Sequence, residues 1–242
     1  SLEKLKKTIE TKYKNNQKIN DLEILCLSCY APLNSFSWVN KIANKKNLSQ
    51  VFNLQIKNFQ IEKNLSKKIQ SISKIKNKIS IKVKNQYEEN PYPRWVQTAV
   101  PLKQLPLPVL LKSKKIKFEE QKLDYNGKLD ILVAGCGTGQ HAISTAARFE
   151  NSKILAIDLS NSSLAYAKRK SEEFKVSNIE FLQADILDID NTGMYFHVIE
   201  SAGVLHHMED PMAGWRVLTN CLKLGGLMKI GLYSELARQH IV

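Results

Sequence analysis

Arginine is scarce in the first half of this 242-residue sequence: Arg94 is the only one before residue 123. Nucleic-acid readers favour Arg for forked contacts to bases and phosphates, so a nucleic-acid partner is not the favoured reading. Residues 1–122 nevertheless hold 25 Lys/Arg against 9 Asp/Glu, a balance of +16, while residues 123–242 hold 11 against 14, a balance of −3. The lysines fall between apolar residues at helical spacing, among many Asn and Ile, as on solvated helix faces; a clamp on RNA is the alternative. Long apolar runs are missing too. None approaches the ~18–20 residues that span a bilayer, and no secretory pattern opens the chain, so no membrane partner is expected. Cysteine is sparse, at four. Cys26 and Cys29 form a CxxC without the second pair or His cluster of a metal site. They fit an apolar helical stripe over 22–29, where core packing is expected. Cys136 and Cys221 have no partners in sequence, which points to a reducing, cytoplasmic compartment. The sequence begins with Ser rather than Met, as a fragment would.

What is present suffices for one sizeable core and a smaller partner domain: 43% of residues are hydrophobic. Ile61, Leu65, Ile69, Ile72, Ile75, Ile79 and Val83 recur at spacings of three and four, one apolar helix face. An earlier helix covers roughly 19–30 and ends near Pro32. Residues 87–108 are rich in Pro and aromatics, which stops a helix and reads as a linker packed across the next domain. From Lys128 onward, strands at 129–134, 153–157, 179–183, 196–200 and 227–232 alternate with helices to about 149, at 161–174 and at 211–222. That alternation predicts an α/β fold, a Rossmann-like doubly wound parallel sheet, preceded by an α-helical N-terminal region. The expected divisions are 1–86 (helical), 87–124 (linker or lid) and 125–242 (sheet domain).

The chemistry gathers at strand ends. Gly135-Cys136-Gly137-Thr138-Gly139 lies between the first strand and its helix, where glycines let the backbone bend and a ligand approach, and the helix start offers free N–H groups. Asp158, followed by Leu159, ends the second strand, and a carboxylate there can accept both hydroxyls of a ribose. Asp185 and Ile186 follow the third strand, suited to an exocyclic amine and an adenine face. The stretch Glu200-Ser201-Ala202-Gly203-Val204-Leu205-His206-His207 follows the fourth and should face the ligand's reactive end. Taken singly, either Asp could be a helix cap; the ordered set argues for one ligand pocket.

These stretches resemble class I S-adenosylmethionine-dependent methyltransferases of the small-molecule type that includes quinone-biosynthesis C-methyltransferases. The resemblance rests on ILVAGCGTGQHA, ILAIDLSNSSLAYAK, NIEFLQADILDI, FHVIESAGVLHHMEDP and LKLGGLMKIGLYS, in family order over about 125–234. YEENPYPRW and GLYSELAR are similar to a group of bacterial methyltransferases with helical, sometimes tetratricopeptide-repeat, N-terminal regions. The resemblance implies S-adenosylmethionine as cofactor and S-adenosylhomocysteine as product. It implies that Gly135, Cys136, Gly137 and Gly139 line the methionine moiety, that Asp158 with Leu159 holds the ribose, and that Asp185 with Ile186 holds the adenine. Val133 stands where the family often has an acidic residue that helps hold the methionine amine, so the backbone near Gly135 and the Ser201 region must do more. His197 replaces a common Asp, away from the site. Only ten residues follow Leu232, too few for the family's final hairpin, so truncation and an open fifth-strand edge are expected.

His206 and His207 are the candidates for a general base, needed only if the acceptor starts out protonated; alternatively one packs and the other is solvated. Tyr92, Arg94 and Trp95 could close as a lid over cofactor or substrate, or anchor a linker. The leading expectation is methyl transfer to a small molecule. A nicotinamide enzyme would need Gly where Gln140 stands. The remaining alternatives are an RNA methyltransferase using the basic half, and a non-catalytic scaffold recruiting a protein partner through its helical arm.

Overall fold

The computed structural model describes residues 1–42, 46–101, 103–117 and 127–234. The expected boundary at 124/125 and the ending at 235–242 lie outside the described residues. The chain forms two compact units, Ser1–Asn64 and Leu65–Val242, dividing inside the stretch 1–86 that periodicity groups together.

The first unit contains α1 (Leu2–Lys14), α2 (Asp21–Ser28), α3 (Ser49–Phe52), which continues through a π turn at Asn53–Lys57, and all but the last two residues of α4 (Asn58–Ser66). Ile9, Ile24, Leu27, Leu33, Trp38, Leu48 and Phe52 form its core. A capping box starts α2: the Asn20 side chain accepts from the Leu22 N–H at 3.1 Å, and Glu23 accepts from the Asn20 N–H at 3.0 Å. Cys26 and Cys29 are exposed, not core residues as the stripe suggests. This helix is apolar nearly all round, so periodicity could not tell the Ile24/Leu27 face, which is buried, from the cysteine face. These helices differ in length, and no pattern of equal helix pairs is present among the described residues.

The second unit begins with α5 (Lys78–Glu89) and α6 (Leu107–Ser113). The alternation then runs β1 (Leu129–Ala134), α7 (Gln140–Arg148), β2 (Ser152–Asp158), α8 (Asn161–Glu173), β3 (Ile179–Gln183), β4 (Phe196–Ala202), α9 (Pro211–Asn220) and β5 (Leu222–Gly231). The sheet is parallel throughout the five strands, in the order β3-β2-β1-β4-β5. Strands covered on both faces read as continuous apolar runs, and β1 is one. Along it, Ile131 and Val133 face a core with Ala142 and Ala146 of α7, Leu164 and Ala167 of α8 and Leu107 and Leu111 of α6. Leu132 and Ala134 face the opposite core with Ile157, Ile199 and Leu218 of α9.

Three local departures from the sequence pattern have physical causes. The apolar face expected over 61–83 is not one helix. It breaks after Ser66, where residues 70–72 pair with the free edge of β3: the Ile72 N–H donates to the Gln183 carbonyl at 2.9 Å and the Gln183 N–H to the Gln70 carbonyl at 2.8 Å. A spacing of three serves both geometries, and here Ile69 and Ile72 reach opposite cores. Asn77 then starts α5, accepting from the Ile79 and Ser80 N–H groups at 2.9 and 3.0 Å. Within the Pro-rich segment, Pro106 and Pro108 occupy the start of α6, where a missing N–H costs nothing. Finally, β5 begins at Leu222 rather than 227, because Leu222 pairs with Phe196 before a register irregularity at Gly225 and Gly226 lets the strand resume opposite Val198.

Candidate functional site

The strand order reverses between β1 and β4, so the loops leaving β1 and β4 diverge and leave a crevice at the carboxyl edge of the sheet. The glycine loop 135–139 lies there. Gly135, Gly137 and Gly139 have φ of +73°, +52° and +85°, the left-handed region. The Gly135 and Cys136 N–H groups both donate to the Ile157 carbonyl at 2.9 Å, tying the loop to the end of β2. Gly137 donates its N–H to Asp158 Oδ2 at 2.8 Å, and the Ser160 N–H donates to Oδ1 at 3.0 Å. Asp158 is thus fixed by two amides, leaving lone pairs on each oxygen for a ligand hydroxyl. Asp185, 4% exposed, is also a cap: its Oδ1 accepts from the Leu187 N–H at 3.1 Å, opening the 3-10 turn Ile186–Thr192.

A cavity of about 540 Å³ brings these groups together, a volume in the range of small-molecule sites. Gly135, Cys136, Gly137, Asp158, Leu159, Asp185, Ile186, Tyr92 and His207 line it. Gly139, Ser201, His206, Arg94 and Trp95 are not in its wall. Gly139 packs against α8 instead, and Ser201 is buried, its hydroxyl lacking a hydrogen-bond partner. The His206 ring packs at a tilt against those of His207 and Tyr233, at centroid distances of 4.2 and 4.0 Å.

Residues 92–98 strap across the glycine loop and α8. Thr138 Oγ1 donates to the Pro93 carbonyl at 2.6 Å, Trp95 Nε1 to the Thr138 carbonyl at 3.1 Å, and Lys170 to the Val96 carbonyl at 2.8 Å. Tyr166 donates its hydroxyl to the Trp95 carbonyl, and the Arg94 guanidinium lies 4.6 Å from the Tyr166 ring centroid. Trp95 is therefore an anchor, buried with Ile143 and Tyr166, while Tyr92 remains 72% exposed at the cavity.

Sequence reasoning missed one whole wall. Asn77, Ile79, Ser80, Val83 and Tyr87 of α5 border the cavity. The 79/83/87 spacing was the available signal. Glu88 locks this helix in place by accepting from the Asn161 and Ser162 N–H groups at 2.8 and 3.0 Å, at the start of α8. Ser163 was also missed. It is 1% exposed, lines the cavity, and its hydroxyl lacks a hydrogen-bond partner, which suits a polar ligand.

The electrostatics favour a ligand with hydroxyls over a thiol chemistry. Burial, and then Asp158, push the Cys136 thiol well above its ordinary value, so it stays neutral and unreactive. Burial also raises the Asp158 carboxyl, against the lowering by the Ser160 and Gly137 amides, with Glu88 adding to the rise. The ionised carboxylate is the stronger acceptor. Ligand affinity that depends on it should therefore weaken as pH falls through that raised value, in milder acid than an exposed Asp would need. Calorimetric titrations from about pH 7 to about pH 4 check this; a flat profile down to the ordinary Asp range contradicts it.

Among known proteins, residues 131–226 match the sequence model of a family described as a methyltransferase domain. An uncharacterized protein of Synechococcus sp. is 37% identical over 116 residues, 48% of this chain and 28% of that protein. The malonyl-[acyl-carrier protein] O-methyltransferase of Acetivibrio thermocellus is 36% identical over 114 residues, 47% of this chain and 39% of that enzyme. The chain thus spans well under half the length of these two relatives. The solved structure of PKMT2 from Rickettsia typhi in complex with AdoHcy is 27% identical, over 42% of this chain and 20% of that one, at a TM-score of 0.39. No helix among the described residues is long and apolar enough to cross a membrane.

Proposed function

We propose that this chain, whose residues 131–226 match a methyltransferase-domain family, is a class I S-adenosylmethionine-dependent methyltransferase that binds that cofactor in the cavity above β1 and β2 and methylates a small molecule. The observation that carries the reading is the shared cavity: Gly137, Asp158 and Asp185 come from three different strand ends and line one crevice. The donor set suits the adenosyl group. Asp158 meets the ribose hydroxyls, Asp185 the adenine amine, and Ile186 and Leu159 the adenine faces. Gly137 leaves open space where the methionine moiety passes, since a Cβ there would meet nothing nearer than the Tyr92 carbonyl at 3.9 Å.

The cofactor supplies an electrophilic methyl group; the protein's task is to orient an acceptor in line with it and exclude water. The wall beyond β4 suits that task. Ala202, Gly203, Val204, Met208 and Ala213 give an apolar surface, with His207, Glu209, Asp210, Tyr92 and Tyr233 as polar groups around it. We assign His207 rather than His206 to take the acceptor's proton where one must leave, because His207 lines the cavity and His206 does not.

Calorimetry with S-adenosylhomocysteine tests the cofactor assignment. We expect saturable 1:1 binding and none with a nicotinamide dinucleotide; the opposite preference removes the reading. Transfer of a labelled methyl group into a low-molecular-weight metabolite fraction tests the acceptor class. Label appearing in RNA alone would replace the small-molecule acceptor.

A further inference from the structure

A buried charged cluster under the glycine loop has no role in the reading so far. Glu200 of β4 is 3% exposed and lies within the sheet beside Val133 of β1, its cross-strand partner. One face of α7 surrounds its carboxylate. Thr145 donates its hydroxyl to Oε2 at 2.6 Å, Arg148 donates to Oε1 at 2.7 Å, and His141 Nε2 lies 2.8 Å from Oε2. Lys229 stands 4.0 Å from Oε1. Although burial opposes ionisation, His141, Arg148 and Thr145 bring this carboxyl down to about 2, so it is charged at any working pH. Arg148 and Thr145 each give this carboxylate one hydrogen bond. The third partner, His141, is different in kind: it also lines the cavity.

We propose that His141 contacts the aminoacyl end of the S-adenosyl ligand and that Glu200 is the residue that positions it. The inference rests on the cavity being the S-adenosylmethionine site. Its direction follows from strand order. Asp158 and Asp185 end β2 and β3, so the adenosine lies on that side, and the rest of the ligand must run past the glycine loop toward β1 and β4. His141 stands in the first turn of the helix that leaves this loop. The aminoacyl end carries an ammonium and a carboxylate, which need polar partners when taken from water. The buried Nε2 lies 2.8 Å from Glu200 Oε2, so the carboxylate stands where it can orient the ring from behind.

The test compares two ligands by calorimetry on the full chain: S-adenosylhomocysteine, and 5′-methylthioadenosine, which keeps the adenosyl thioether but lacks the aminoacyl group. His141→Ala should weaken the first about tenfold or more, a loss of ~1.4 kcal/mol, and leave the second unchanged. Glu200→Gln, read on protein still folded at the assay temperature, should show the same split between the two ligands, which a merely structural role would not produce; equal weakening of both removes the positioning role. If the His141 variant weakens both ligands equally, or neither, the proposal is overturned. Wild-type protein that binds neither ligand would instead overturn the cofactor reading beneath it.

Discussion

Gly139→Ala should cost the fold about 2–5 kcal/mol, whereas Gly137→Ala should cost only the backbone strain, about 1–2 kcal/mol, and abolish ligand binding. Both glycines have positive φ, so either substitution carries the strain of an L-residue in the left-handed region, roughly 1–2 kcal/mol. The difference is what the new methyl group meets. At Gly139 it would lie 2.4 Å from the Ala167 Cβ and 2.9 Å from its Cα, so the backbone of α8 must move. Overpacking of that kind adds roughly 1–3 kcal/mol. The affected contact joins the first turn of α7 to the middle of α8, within the core that also holds Ile131 and Val133. At Gly137 the methyl group meets no atom closer than 3.9 Å, and it projects from a residue that lines the cavity. Thermal melts of the two variants, each with and without S-adenosylhomocysteine, separate the cases. Gly139→Ala should melt far lower in both conditions, and Gly137→Ala should melt between it and wild type but gain nothing from ligand. Equal melting temperatures for the two would mean that the loop glycines do not divide into one for packing and one for the ligand.

That division also marks what the sequence could tell. The GxGxG spacing located the turn, but three identical residues hide three tasks: Gly135 against Val204, Gly137 facing open space, Gly139 against Ala167. Only tertiary contacts assign them. The sheet was legible because its central strands are apolar runs bounded by Gly, Asp and Asn, and periodicity is strongest where burial is complete. Asp158 and Asp185 were legible because strand ends gather ligands in open parallel sheets. Residues 61–83 were not, because a spacing of three suits both a helix face and an extended segment alternating between two cores. Those residues decide whether the cavity has a wall, since α5 begins only where Asn77 caps it. Glu200 was legible as a strand end, but its partners lie 52 to 59 positions earlier on α7, where composition and spacing give no sign that His141, Thr145 and Arg148 converge on one carboxylate.

Asp158→Ala should weaken S-adenosylhomocysteine binding by roughly 10- to 100-fold, ~1–3 kcal/mol, because it leaves ligand hydroxyls buried without an acceptor. The loss has two sources that act at one atom. The carboxylate holds the Gly137 N–H at 2.8 Å through Oδ2, and the same oxygen pair would receive the ribose. Truncation therefore removes a ligand contact and slackens the loop beside it. A cycle with a 2′,3′-dideoxyadenosyl analogue separates these. If Asp158 meets the hydroxyls, wild-type protein should bind the analogue about as weakly as the variant binds the natural ligand, and the variant should lose little more when given the analogue. If the carboxylate only orders the loop, the variant should lose affinity for both ligands by the same factor, and the coupling between residue and hydroxyls should vanish. The pH dependence reads the same contact a second way: burial raises the Asp158 carboxyl, so wild-type affinity should fall as acid protonates it, whereas the alanine variant, which has no carboxyl there, should show no such fall.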